Sequence, residues 1–275
     1  MGKDDKIILQ VQIASLGQEG INRVAAHSHP HIPGVRWLVS LQDPDKNVII
    51  PQSLLDRDDF EITVRHERGV SKNRNNALDY GLVSEFTLLS DDDVDYNEQS
   101  LIDLINAFRN HPEADIICCR YTVNGQYKKP YCNGIFNLDK PPFGWYPSLI
   151  EMAFRTSSGH NVRFNEKIGP GSDHIIAGED SIWFVDMMRQ GAKGICVPID
   201  LCSHDGESTG SRMSSDPGFL KAHGACMTHA KPYSWLPRLV VQSLRSGISP
   251  IRYLRYTCSG AIYALCHRLF RTTNS

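Results

Sequence analysis

The sequence predicts an α/β protein with a mostly parallel central sheet flanked by helices. Three observations carry this reading. Short β-rich segments alternate with segments of helical apolar spacing, the pattern of a parallel sheet covered on both faces. The helical segments are bracketed by start and stop residues such as Ser71, Pro112 and Gly191. The chain has 275 residues, 41% of them hydrophobic, enough for a core in one large domain or two small ones.

Ile7–Ala14 (IILQVQIA), Val35–Leu41 (VRWLVSL) and Glu61–Arg65 (EITVR) read as strands, being rich in β-branched and apolar residues. Ser71–Leu82 places Ala77, Leu78 and Leu82 at helical spacing, with Ser71 positioned to cap. Phe86–Leu89 is a short apolar strand leading into acids. Glu98–Asn110 is a helix with Leu101, Ile105 and Phe108 on one face. Asp115–Val123 reads as a strand, and Asn124-Gly125 as a tight turn. Lys128–Trp145, rich in Pro, Gly and aromatics, is expected to be a long surface loop. Ser148–Arg155 is expected to be a strand and Phe164–Gly178 a Gly-rich loop. Glu179–Gln190 is a helix carrying Ile182, Val185 and Met188, Lys193–Pro198 a strand, and Ser203–Asp216 a polar loop. The pattern is helical from Trp235 onward.

A net charge of −2 names no partner, but its distribution is uneven. No acid follows Asp216, whereas Lys221, Lys231, Arg238, Arg245, Arg252, Arg255, Arg268 and Arg271 do. This is the profile of a catalytic body with a basic appendage. Eight cysteines without a CxxC pair form neither a zinc ribbon nor a disulfide framework and read as small core residues of a reducing cytosol. The start MGKDDK lacks the apolar stretch of a signal peptide, and no apolar run is long enough to span a bilayer. A cytoplasmic protein is expected.

Four short segments carry chemistry. In LLSDDDVDY, Asp91, Asp92 and Asp93 follow a strand directly. Ligands of parallel sheets bind beyond strand carboxyl ends, and three adjacent carboxylates repel unless something cationic sits among them. A divalent ion shared with a diphosphate meets that need; an acidic start to the next helix is the structural alternative. In GED, Glu179 and Asp180 open a helix, where a carboxylate serves either as a general base or as an N-terminal helix acid. In SHDGEST, His204 follows a strand and either completes a metal or phosphate shell or is a polar loop residue. In SKNRNNAL, Lys72 and Arg74 stand at a helix start suited to phosphate, or form a solvated basic turn.

The order of these segments resembles that of the nucleotide-sugar-dependent glycosyltransferases of the GT-A (Rossmann-like) fold, of the inverting family 2 type. The segments carrying the resemblance are GVSKNRNNALDYGLVSEFTLLSDDDVDY, FNEKIGPGSDHIIAGED and the strand with SHDGEST. The resemblance implies a catalytic domain over residues 1–216, with a nucleotide-sugar half to about 123 and an acceptor half beyond it. Residues 217–275 form a basic helical extension. It implies that Ala14 and Ser15 line the donor pocket and that Asp43 meets the base. Asp91 or Asp92 would contact the ribose; Asp93, with Asp91 and His204, would hold Mg²⁺ or Mn²⁺. Lys72 and Arg74 would face phosphate. Asp180, beside Glu179, would take the proton from the acceptor hydroxyl. The partners implied are a nucleotide-diphosphate sugar, UDP-linked, and a saccharide or lipid-linked saccharide acceptor. The segment after the first strand, ASLGQEG, departs from the T-x-N/D-R of such enzymes.

Ser249–Arg271 carries Ile251, Leu254, Cys258, Ile262, Leu265 and Leu269 on one stripe, with Arg255 and Arg268 at its margins and Arg252 and Arg271 away from it. Such a helix either packs on the catalytic body or lies on an anionic membrane surface, which would make the protein peripheral. Nucleic acid is not expected as a partner, because the basic residues lie among apolar ones. Two further function classes remain: a nucleotidyltransferase acting on sugar phosphates, and a non-catalytic nucleotide- or carbohydrate-binding protein.

Overall fold

A computed structural model of the chain describes residues 6–80, 83–159, 162–204 and 216–270. It divides into two compact units. The first comprises Met1–Arg68, Lys72–Arg163 and Asp186–Gly206; the second comprises Gly69–Ser71, Phe164–Val185 and Glu207–Ser275.

The elements run β1 (Leu9–Leu16), α1 (Gly17–Ala26), β2 (Val35–Gln42), α2 (Gln52–Leu55), β3 (Phe60–Arg65), α3 (Val70–Tyr80), β4 (Phe86–Asp91), β5 (Val94–Tyr96) and α4 (Glu98–Asn110). There follow β6 (Ile116–Val123), β7 (Phe136–Asn137), β8 (Met152–Arg155), α5 (Thr156–Gly159), α6 (Glu179–Arg189), β9 (Gly194–His204), α7 (Pro217–Ala230), α8 (Trp235–Ser243) and α9 (Pro250–Cys266).

The first unit is built on one sheet of order β3-β2-β1-β4-β8-β6-β9-β5, with β7 paired to β9. β3, β2, β1 and β4 are mutually parallel, as are β6 and β9. β8 runs against both of its neighbours, and β5 and β7 run against β9. The fold class is therefore the predicted one: mixed α/β, mostly parallel, flanked by helices. β1 (LQVQIASL) alternates apolar and polar residues along most of its length although both of its faces are buried. Leu9, Val11 and Ile13 share a core with Ile21 and Val24 of α1 and with Leu101, Leu104 and Phe108 of α4. The alternate residues Gln10 and Gln12 point to the opposite face. They are buried: the Gln12 Nε2 donates to Gln10 Oε1 (3.0 Å) and to the Ala77 carbonyl of α3 (3.1 Å), while the Gln12 Oε1 has no hydrogen-bond partner among the described residues.

α4 spans the predicted residues, and the Asn97 side chain caps it by accepting from the Ser100 amide at 2.8 Å. The Asn124-Gly125 turn is present, with both residues at positive φ (50° and 73°). Cys118, Cys119, Cys196 and Cys202 are buried core residues.

Other expectations change. The strand expected over Ser148–Arg155 is a 3₁₀ turn, Leu149–Glu151, followed by the shorter β8. Lys128–Trp145 is not wholly a surface loop, since Lys129, Leu138 and Trp145 are buried. The strand expected to stop at Pro198 continues to His204, so His204 is a paired sheet residue rather than part of a loop. The remainder of SHDGEST lies outside the described residues. α1 and α7 had no predicted counterpart. α1 begins GQEG, and its glycines hide a helix. α7 is small-residue-rich, yet it is announced by Asp216, whose side chain accepts from the Gly218 amide at 2.7 Å, and by Pro217 in the first turn.

Among the described residues of the second unit, two small cores stand out. One joins Ile168, Ile175 and Ile182 to Ala222 and Ala225 of α7 and to Ala264 and Leu269. The other joins Leu220, Leu239 and Tyr253. Phe164–Val185 thus groups with the C-terminal helices. The reason is that the buried isoleucines of the Gly-rich segment find their apolar partners on α7 and α9.

α7 and α9 approach closely through small residues. A Cβ at Gly224 would lie 1.8 Å from the Thr257 carbonyl oxygen, and one at Gly260 would lie 1.9 Å from that of Lys221. Backbone cannot yield as a side-chain tip can. Gly224→Ala is therefore expected to cost at least about 1–3 kcal/mol, the usual range for overpacking, read as a lower urea midpoint at unchanged slope.

Candidate functional site

The three acids mark the carboxyl end of β4, but no helix follows them. Asp91 closes β4, Asp92 and Asp93 form the turn, and β5 begins at Val94. The alternative of an acidic helix start is thereby removed; that place is taken by Asn97 and α4. The turn sits among strand ends: Ala14 of β1 lies opposite Asp91, and Val94 lies opposite His204 of β9.

Each acid has a cationic partner within the first unit. Arg74 of α3 donates to Asp91 Oδ1. Arg23 of α1 grips Asp92 through two parallel hydrogen bonds, Nε to Oδ1 and Nη2 to Oδ2, both 3.0 Å. His204 Nε2 lies 3.0 Å from Asp93 Oδ2. The crowded carboxylates, paired from sequence with an ion, thus each also have a partner in the protein, two arginines and a histidine.

The partners set the charges. Burial pushes the Asp92 carboxyl above its usual range, more strongly than Arg23 draws it down. Burial also raises Asp93, but the hydrogen bond and charge of His204, aided by Arg23, outweigh it and leave Asp93 below its usual range. The Asp93 hydrogen bond in turn raises His204 above the ordinary 6.5, against desolvation. Accessibility differs: Asp91 and Asp93 keep 44% and 31% of their side-chain surface, whereas Asp92 keeps 10%. The outer two are open to solvent, whereas the middle one is held by Arg23.

Arg74 is no solvated basic residue, since only 4% of its side chain is exposed. Lys72 stands half-buried two residues earlier on α3. Between them, Asn73 does work that the sequence reading missed. Its Nδ2 donates to the Ser15 carbonyl at 3.1 Å, and its Oδ1 accepts from the Ser40 hydroxyl at 2.6 Å. It therefore ties the ends of β1 and β2 to α3. Ser15 is buried, and its hydroxyl has no hydrogen-bond partner among the described residues. Asp43, just past β2, uses its carboxylate to close its own loop, accepting from the Asn47 and Val48 amides at 3.1 and 3.3 Å.

Arg23 was also missed. Its segment, GQEGINR, folds as α1. Gly20 is the hidden signal: a Cβ there would lie 2.5 Å from Ser15 Oγ and 2.6 Å from Asp92 Oδ2. Only glycine lets α1 come this close to the acids.

Glu179 and Asp180 belong to the second unit, as the first residues of α6, and Asp180 Oδ1 accepts from the Ser181 amide at 2.6 Å. Gly178 precedes them at φ +94°, and a Cβ there would lie 2.4 Å from Cys226 Sγ of α7.

Among the described residues, one trio of metal-capable side chains has its ligand atoms within 4.8 Å of one another: His31, Asp58 and Asp59. There Asp59 already accepts two hydrogen bonds from Arg57 (2.9 and 2.6 Å). Asp91, Asp93 and His204 are not gathered so closely. Their donor set nevertheless suits a hard divalent cation of the Mg²⁺ or Mn²⁺ kind, which binds through one or two carboxylates and completes its shell with substrate oxygens. His204 also has a buried Nδ1 with no hydrogen-bond partner among the described residues.

No protein-family model matches the chain, and no curated protein matches its sequence. Solved structures do match. S. aureus TarS 1–349 in complex with UDP superposes with a TM-score of 0.60 at 14% identity, over 95% of this chain and 82% of that one. TarS 1–349 in complex with UDP-GlcNAc gives 0.57 at 16% identity, over 97% and 74%. A longer S. aureus TarS chain gives 0.56 at 13% identity; the match covers 97% of this chain but only 44% of that one. The chain shares the fold of these proteins.

Proposed function

We propose that the chain is a GT-A glycosyltransferase of the inverting, family 2 type. It would move a hexosyl or N-acetylhexosaminyl group from a UDP-linked donor to a saccharide or lipid-linked saccharide. The observation that carries this reading is the acid turn at the end of β4, two of whose carboxylates are open to a ligand while Arg74, Arg23 and His204 surround it. The UDP and UDP-GlcNAc complexes of proteins with this fold support the donor class.

In this reading Ala14 and Ser15 line the donor pocket at the end of β1, and Asp43 meets the base. Asp91, more open than Asp92, contacts the ribose. Arg74 and Lys72 offset phosphate charge. Asp93 and His204, with Asp91, would hold Mg²⁺ or Mn²⁺, which when bound supplies compensation for charge on the departing diphosphate. Asp180, neighboured by Glu179, accepts the proton of the acceptor hydroxyl. That oxygen then bonds to the anomeric carbon, and the bond from this carbon to the diphosphate oxygen breaks, inverting the centre.

The test is a thermal-shift titration of the full chain with UDP, UDP-GlcNAc and ADP, with and without Mn²⁺. A ligand at 100 times its dissociation constant adds about 2.7 kcal/mol to stability. A rise with the uridine nucleotides that Mn²⁺ enlarges is expected, whereas a flat response to all of them would refute the reading.

A further inference from the structure

We propose that the second unit docks on an anionic lipid surface through the outward faces of α8 and α9. This goes beyond the proposed reaction and does not depend on it.

The argument begins with how these helices pack. α9 buries Tyr253, Thr257, Gly260, Ala261 and Ala264, a face of mostly small residues that meets α7 at Gly224. The apolar stripe picked out in the sequence is only partly turned inward: Leu269 is buried and Leu254 packs on a core, but the rest lies off the buried face. Ile251, Ile262 and Leu265 stay 82%, 56% and 54% exposed. α8 repeats the arrangement. It buries Leu239 and Ser243, while Leu236, Val240, Val241 and Leu244 remain between 42% and 73% exposed. At about 100° per residue these four fall on one continuous arc away from Leu239. Both helices therefore keep several large apolar side chains outside, although Leu239 and Tyr253 turn inward.

Charge selects the occupant. Arg238 and Arg245 border the α8 arc, and Arg255 borders the α9 arc, by the same angular count. Residues 217–275 hold eight Lys and Arg and no acid. Apolar centres beside cationic edges match acyl chains beneath anionic headgroups. A second copy of the chain would set these cations against one another, and a nucleic acid would leave the apolar arcs in water. Among the described residues no helix is long and apolar enough to cross a membrane, so the contact would be at the surface.

The experiment is co-sedimentation of the full chain with vesicles of phosphatidylglycerol in phosphatidylcholine, and of phosphatidylcholine alone. Binding only to the anionic vesicles is expected, falling as ionic strength rises from about 0.1 M to about 1 M and the screening length shrinks from about 10 Å to about 3 Å. The exposed-site variants Val240→Glu/Leu244→Glu and Ile251→Glu/Ile262→Glu should each weaken partitioning about tenfold or more while keeping the parent melting temperature. The proposal is overturned if the parent ignores anionic vesicles, or if the variants bind as the parent does. It is equally overturned if light scattering shows a dimer that the variants dissolve. The UDP response is read on the same samples, so vesicle binding without it sinks the reaction and leaves this proposal standing.

Discussion

Asp180→Asn is expected to lower transfer to acceptor by about 10²–10⁴-fold while leaving the UDP-induced thermal shift intact, the usual range for loss of a general base. Asparagine keeps the size of the side chain and its acceptor oxygen, so the hydrogen bond from the Ser181 amide is retained. What it loses is the capacity to take a proton near neutral pH. In single-turnover measurements the loss should lie in the chemical step, with the donor's apparent affinity unchanged. Retained turnover in the variant would remove Asp180 from the proposed mechanism. A parent that binds UDP yet transfers nothing to any saccharide would favour the binding-protein class.

The second large effect concerns stability. Lys129→Met is expected to cost about 3–5 kcal/mol, the range for breaking a buried ion pair from one side. Neither the Lys129 nor the Glu151 side chain is solvent-exposed, and the two are directly paired. The Lys129 ammonium also donates to the Tyr146 carbonyl (2.6 Å) and the Ser148 hydroxyl (3.2 Å), so its three protons are placed. The rings of Tyr146, Tyr121, Trp145 and Tyr131 surround it, with centroids 4.8–5.6 Å away. Tyr131 donates to the second Glu151 oxygen. Burial pushes the Glu151 carboxyl up, and Lys129 is the main opposing influence. Methionine fills the space but leaves that carboxylate uncompensated. The double variant Lys129→Met/Glu151→Leu should recover most of the loss, because it removes both charges. Urea midpoints at constant slope decide: a single variant within about 0.5 kcal/mol of the parent would show that the cage does not hold this region.

Much of the first unit was legible because its signals are local. A strand, an Asn cap or an Asn-Gly turn depends on neighbours a few positions away, and β1, α4 and Asn124-Gly125 were placed from such neighbours. α1 and α7 escaped because glycines and small residues lower helix propensity, although Asp216-Pro217 announced the second of them. The site was half legible. Three acids after a short apolar strand name the place, yet the sequence reading missed Arg23 and Asn73, which do not precede or follow the acids in any recognisable pattern.

The sequence by itself determined the order of elements, the sheet class, the position of the acids and the one-sided charge of the C-terminal segment. Tertiary structure alone decided which cation meets which acid, that Lys129 is enclosed, and that α9 turns its small residues inward. The physical reason is distance along the chain. Arg23 and Asp92 are 69 positions apart, and Lys129 and Glu151 are 22 apart. Such pairs are selected by packing and desolvation, which no local periodicity encodes.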